Sequence, residues 1–240
     1  MAPASKIITL MEILCASAPL SLREIEDRTG IPRSTAHRLL LSLQDAGWVF
    51  QDPGGDGYRP ATRFLFLSRS SSLYDELIRA ADPEMRSLMK STGNTSVLSV
   101  LEGTAGLCIH SVEPSSSVKF TAHRGMAVPL SAGATGKILL AYAPPEVRSK
   151  VLSSSPDPAA LEKEIELIRH RGYASSREEW IAHAGDISVP LFDGRGRFVA
   201  QLGVAGIAEQ VFRNFDENLR LLKSAAQAVE QRFEKTMEVV

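Results

Sequence analysis

Ile7, Leu10, Met11 and Leu14 recur at steps of three and four, so residues 5–17 read as an amphipathic helix whose apolar stripe must bury against a partner. Ser21 and Glu24 have capping-box spacing, Leu22 and Ile25 give the next helix its apolar side, and Gly30 closes it. From Ile31 to Gln44, Ala36, Leu39, Leu40 and Leu43 fall on one face of a third helix. Ser34, Arg38 and Leu41 fall opposite, flanked by Thr35 and His37. Pro32 suits the first turn, where its missing N–H costs nothing. A short helix, a Gly-containing turn and a polar-faced second helix make a helix-turn-helix. Trp48 to Gln51 then has strand composition, residues 52–57 form a turn cluster, and Tyr58-Arg59 returns as the partner strand, which is a β-wing.

Beyond the wing, Thr62 to Leu77 carries Phe64, Phe66 and Leu67 and predicts a linker helix, with a second helix near residues 77–91. Strands are expected at 95–101, 107–112 and 117–122, and again at 187–192 and 197–207 around the Asp193-Gly194-Arg195-Gly196 turn. Consecutive strands joined by short turns give an antiparallel sheet and an α+β fold. Asp157-Pro158 starts a helix that Leu161, Ile165 and Ile168 carry to Gly172, and a long helix from Phe215 to Phe233 closes the chain. The expected domains are 1–60, a linker helix at 61–77, and 78–240.

At 240 residues and 44% hydrophobic, the chain is long enough for two small domains with cores. A formal net charge of −1 does not announce a nucleic-acid binder. Within residues 1–74 eight Lys and Arg face seven Asp and Glu, so placement must carry the argument. Arg33, Ser34, Thr35, His37 and Arg38 occupy the N-terminal half of the third helix, the part that enters a major groove in helix-turn-helix proteins. Arg59, at the wing base, is either a phosphate contact or a plain exposed arginine. Two distant cysteines in apolar contexts and the absence of any 18-residue apolar run point to a reduced, cytoplasmic protein with no membrane partner. The small residues of 128–137 lead into an apolar helix and leave two readings open: backbone N–H groups approaching a ligand, or close helix packing. The segment has neither Walker nor dinucleotide spacing, so no cofactor is expected. The rival from another class is a cysteine-dependent enzyme with Cys108 as nucleophile and His110 or His123 as base. A metal site from His110, His123 and His183 lacks ligand spacing. Trp180 and Tyr173 have two readings, pocket lining and core packing, and core packing is the better for each.

In this order the parts resemble the IclR family of bacterial transcriptional regulators along nearly the whole chain. The blocks that carry the resemblance are P-L-S-L-R-E-I-E-D-R-T-G-I-P-R-S-T-A-H-R-L-L-L-S-L at 19–43 and P-L-S-A-G-A-T-G-K-I-L-L-A at 129–141. R-H-R-G-Y-A at 169–174 and V-P-L-F-D-G-R-G-R-F-V-A at 189–200 complete them. The resemblance implies an N-terminal winged helix-turn-helix, a linker helix and a GAF-like effector-binding domain, working as a homodimer or a dimer of dimers. It implies a repressor of palindromic operator DNA, switched by a small organic acid or aromatic metabolite. Carried over residue by residue, the effector pocket falls at Phe120, Val128, Ala134, Thr135, Ser176, Ala184, Asp186, Gly203 and Ala205. Relatives that sense small keto acids often have serines at positions 203 and 205, cysteine at 186 and an acidic residue at 176. A buried Asp186 would repel a carboxylate and accept a bond from a hydroxyl or amine, which implies an effector less anionic or larger than pyruvate.

Overall fold

A computed structural model of the chain describes residues 2–52, 55–63 and 74–237. The chain divides into two compact units, residues 1–72 and 73–240.

The first unit runs α1 (Pro3–Ser17), β1 (Leu20–Ser21), α2 (Leu22–Thr29), α3 (Arg33–Asp45), β2 (Val49–Gln51) and β3 (Gly57–Pro60). Its apolar stripes meet as their spacing requires: Leu10 and Leu14, Ile25, and Ala36 and Leu40 close one core with Val49 and Tyr58. The capping box forms, Ser21 N–H donating to Glu24 Oε2 at 2.8 Å and Glu24 N–H to Ser21 Oγ at 3.3 Å. Gly30 ends α2 at φ 67°, a left-handed turn that glycine adopts without a Cβ clash. Pro32, with an extended ψ of 139°, is the N-cap of α3 and stands outside its first turn. The unforeseen strand β1 pairs Leu20 with Tyr58 and Ser21 with Gly57, extending the wing into a three-stranded sheet. Two residues are too few to leave an alternating signal.

The second unit begins with α4 (Asp75–Thr92), β4 (Thr95–Glu102), β5 (Ala105–Val112), β6 (Ala127–Val128) and α5 (Gly133–Ala141). It continues with α6 (Pro145–Ser153), α7 (Pro158–Arg171), β7 (Ala174–Arg177), β8 (Ala184–Phe192), β9 (Phe198–Ile207), α8 (Ala208–Arg213) and α9 (Phe215–Met237). The strands form one antiparallel sheet in the order β6-β5-β4-β9-β8-β7. Alternation sorts its faces. Leu98, Val100, Ile187, Val189, Leu202 and Val204 point toward α4 and α9, where Met85, Leu88, Leu222 and Val229 complete the main core. The opposite face packs against α5, which is buried along its whole length and backed by Val151, Leu161, Ile165 and Ile168.

Two expectations change. The expected strand at 117–122 is irregular, because side chains take up its carbonyls: Thr95 Oγ1 donates to Phe120 O and Ser111 Oγ to Ala122 O, at 2.5 and 2.6 Å. The edge strand is instead the short β6, paired with Gly106 and Leu107. Residues 75–77, expected at the end of the linker helix, open α4, since Leu77 is buried in the main core. Residues 64–73 of that linker lie outside the described residues. The helices α6 and α8 and the small-residue strand β7 carried too weak a periodic pattern to be read.

Candidate functional site

Two regions hold the residues singled out by sequence. In the first unit, Ser34, His37 and Arg38 of α3 are exposed and Thr35 is half-buried, while Ala36 and Leu40 on the other side are fully buried. The two other basic residues are tied down. Arg33 Nε donates to Glu26 Oε2 at 2.6 Å, joining α3 to α2. Arg59 Nε donates to Asp52 Oδ1 at 2.7 Å, and its guanidinium lies 4.6 Å from the centre of the Phe50 ring. Arg59 is therefore a clamp on the wing hairpin, and Arg33 a clamp at the α2–α3 turn. Arg38 makes no ion pair among the described residues and presents its guanidinium to solvent.

The second region is a cavity, partly open to solvent, between the α5 face of the sheet, the segment 120–128 and the β7–β8 loop. Phe120, Val128, Thr135, Ser176, Ala184, Asp186 and Ala205 line it. Two of the expected residues do not. Ala134 is fully buried and contributes its backbone N–H; a Cβ on Gly203 would overlap Gln201 Nε2 and meet Ser188 Oγ at 2.6 Å, so position 203 is filled from within the sheet. Glu179, Trp180 and Ile181 join the wall from the loop, and Trp180 is 40% exposed, so it lines the cavity and is not a core residue. Tyr173 does pack against the main core. No helical or strand periodicity marks a loop residue such as Trp180, and its aromatic side chain is the one signal the sequence carried.

Of the two readings of the 128–137 segment, close packing is the one the structure bears out. Gly136 is close packing, its Cα set directly against the Pro129-Leu130 backbone. The first turn of α5 nonetheless turns its N–H groups to anions, and these anions belong to the chain. Ala134 N–H donates to Asp186 Oδ1 at 3.1 Å and Thr135 N–H to Asp186 Oδ2 at 2.9 Å, with Thr135 Oγ1 at 3.2 Å from the same oxygen. Gly133 N–H reaches Glu179 Oε2 at 3.3 Å. Lys137, 4% exposed, is held by Glu164 at 2.9 Å and Glu179 at 2.5 Å. Burial of the Asp186 carboxylate raises its pKa, against the three hydrogen bonds that favour its charge. A carboxyl whose folded pKa is raised contributes stability at pH below its unfolded value and loses it as pH rises through the folded value. The stability of the wild type relative to Asp186→Asn should therefore fall with rising pH across that interval and level off above it. Urea midpoints over a pH series check this; a constant difference would contradict it.

The Cys108 and His110 pair dissolves at a bulge. The β4–β5 register shifts between Leu98 and Ser99, so Cys108 lies opposite Ser99 while His110 lies opposite Leu98. One extra residue sends neighbours that strict alternation would align to opposite faces. Cys108 faces the cavity, whereas His110 Nε2 lies 2.8 Å from Asp82 Oδ1 of α4. Burial pushes the Cys108 thiol up to about 11, which disfavours the nucleophilic thiolate. His123 and His183 are exposed and join no group of metal-ligating side chains among the described residues.

Comparison with known proteins places this geometry. The family described as Bacterial transcriptional regulator IclR C-terminal matches residues 73–231, and the IclR helix-turn-helix domain matches residues 3–53. The HTH-type transcriptional regulator BhcR of Paracoccus denitrificans is 30% identical over 84% of this chain and 76% of its own length. The DNA-binding transcriptional repressor YiaJ of Escherichia coli is 28% identical over 87% and 79%. The crystal structure of an IclR homolog from Microbacterium hydrocarbonoxydans, complexed with 4-hydroxybenzoate, superposes with a TM-score of 0.83 at 24% identity and covers 98% of this chain and 100% of that one.

Proposed function

The chain belongs to the IclR family of bacterial transcriptional regulators, and from that premise we propose that it is a metabolite-switched repressor that binds a palindromic operator as a dimer. It is a DNA-binding regulator and not an enzyme, as its relatives are. The observation that carries the proposal is the two-sided α3, apolar and buried along Ala36 and Leu40, polar and exposed along Ser34, His37 and Arg38. Two such helices related by a dimer axis read half-sites one helical turn or a multiple apart. Ser34, Thr35, His37 and Arg38 meet base edges; Arg33 and Arg59, already paired, turn their remaining N–H groups toward phosphate and keep the readers in register. The protein works beside the chromosome, in the cytoplasm.

The cavity around Asp186 is the effector site of this proposal, supported by the 4-hydroxybenzoate held by the Microbacterium homolog. An effector that prefers one arrangement of the second units shifts the dimer population toward or away from the operator spacing, the coupling passing through the chain that joins the two units. Repression is the sign, in line with the repressor YiaJ. A gel shift on DNA upstream of the chain's own gene and its neighbours, with and without extracted metabolites, tests the whole reading. Retardation that a metabolite fraction changes is expected. Retardation indifferent to every fraction would leave a constitutive binder, and none at all would overturn the proposal.

A further inference from the structure

Resting on the reading of the cavity as the effector site, we infer that its ligand presents a hydrogen-bond-donating head group, an alcohol or an amine, and that a carboxylate is excluded. A helix N-terminus is ordinarily where an anionic ligand finds free N–H groups. At α5 those groups are spent. Ala134 and Thr135 give theirs to Asp186, and Gly133 gives its own to Glu179. The nearest buried cation, Lys137, sits between Glu164 and Glu179 and neutralises one of them. Ser176, directly across the β7–β8 register from Asp186, offers one hydroxyl, too little to hold an anion.

What remains toward the cavity is acceptor capacity. A carboxylate accepts about four hydrogen bonds. Asp186 Oδ2 takes the Thr135 N–H and hydroxyl, while Oδ1 takes only the Ala134 N–H. The chain behind it is ordered to donate in the same direction: Gln201 Nε2 donates to Ser188 Oγ at 2.8 Å, which frees the Ser188 proton for Thr135 Oγ1 at 3.2 Å and the Thr135 proton for Asp186. A ligand carboxylate would add a further anion beside Asp186 and Glu179, whereas an O–H or N–H completes Oδ1. Val97, Phe120, Met126 and Val128 make the rest of the wall apolar, so the head group is carried on a hydrocarbon or aromatic body.

Calorimetric titration of the full chain with benzylamine, benzyl alcohol and benzoate compares three head groups on one ring. Quenching of Trp180 emission, read against Trp180→Phe, assigns each probe to the cavity. The amine or the alcohol is expected to bind at least about tenfold more tightly than benzoate. Asp186→Ala, which vacates the α5 N-terminus, is expected to reverse that order, and Asp186→Asn, which keeps the shape of the side chain, to flatten it. Benzoate binding tightest to the wild type, no probe binding the cavity below about 10 mM, or an order unchanged in the variants that fold would overturn the inference. The regulator reading is separable: benzoate that binds and alters operator retention refutes the ligand class alone, whereas benzylamine that binds without altering it refutes the switch alone.

Discussion

Gly136→Ala is expected to destabilise the second unit by about 3 kcal/mol or more, at or above the usual upper end for overpacking. The added Cβ would overlap the Pro129 carbonyl oxygen and sit 3.2 Å from Leu130 Cα. Both are backbone atoms, so no rotamer change makes room. The alternative, lifting α5, would expose Ile138, Leu139 and Leu140, which are fully buried, and would draw Ala134 and Thr135 off Asp186. Loss of stability and loss of the cavity should therefore arrive together. The urea midpoint of the unit checks the first, and Trp180 emission the second. Gly103→Ala is the control: its φ of +57° strains an alanine by roughly 1–2 kcal/mol, but the space around it is open. Equal losses in the two variants would mean that backbone strain, and not the Pro129 contact, sets the cost.

Arg38→Ala is expected to weaken operator binding by about 1–3 kcal/mol, roughly 5- to 150-fold, if its fork meets a guanine edge. Folding should be nearly unchanged, because the side chain is exposed and makes no ion pair among the described residues. Arg33→Ala and Arg59→Ala should behave differently. Each gives up a pair within the first unit, to Glu26 or Asp52, and each should lower affinity for operator and unrelated DNA alike while reducing the salt dependence. Fluorescence anisotropy with operator and scrambled duplexes at several salt concentrations separates the two patterns. Arg38→Ala with unchanged affinity and specificity would remove α3 as the reader.

Much of the first unit was legible because its signals are local. The Ser21–Glu24 box, the Gly30 stop and the Ala36–Leu40 stripe each depend on residues within about one or two helical turns. The long α9 and the strands β4, β8 and β9 were legible for the same reason, their apolar positions repeating over 8 to 23 residues. The 117–122 segment looked like a strand because Val118, Phe120 and Ala122 alternate. It is irregular because Thr95 and Ser111, distant in sequence, bind its carbonyls. Cys108 and His110 looked like a pair because β5 was assumed regular, and the bulge that parts them becomes apparent only in pairing with β4.

The sequence alone therefore determined the α+β class, the winged helix-turn-helix and the division of α3 into a buried and an exposed polar face, all consequences of side-chain periodicity along short stretches. Tertiary structure alone decided which charges are free to act. Arg33 and Arg59 are each paired with a carboxylate, Glu26 and Asp52, whereas Arg38 makes no ion pair among the described residues, and the N-terminus of α5 is occupied by Asp186 from a strand some fifty positions away. A charge acts according to the partners and solvent around it, and those are set where distant segments meet.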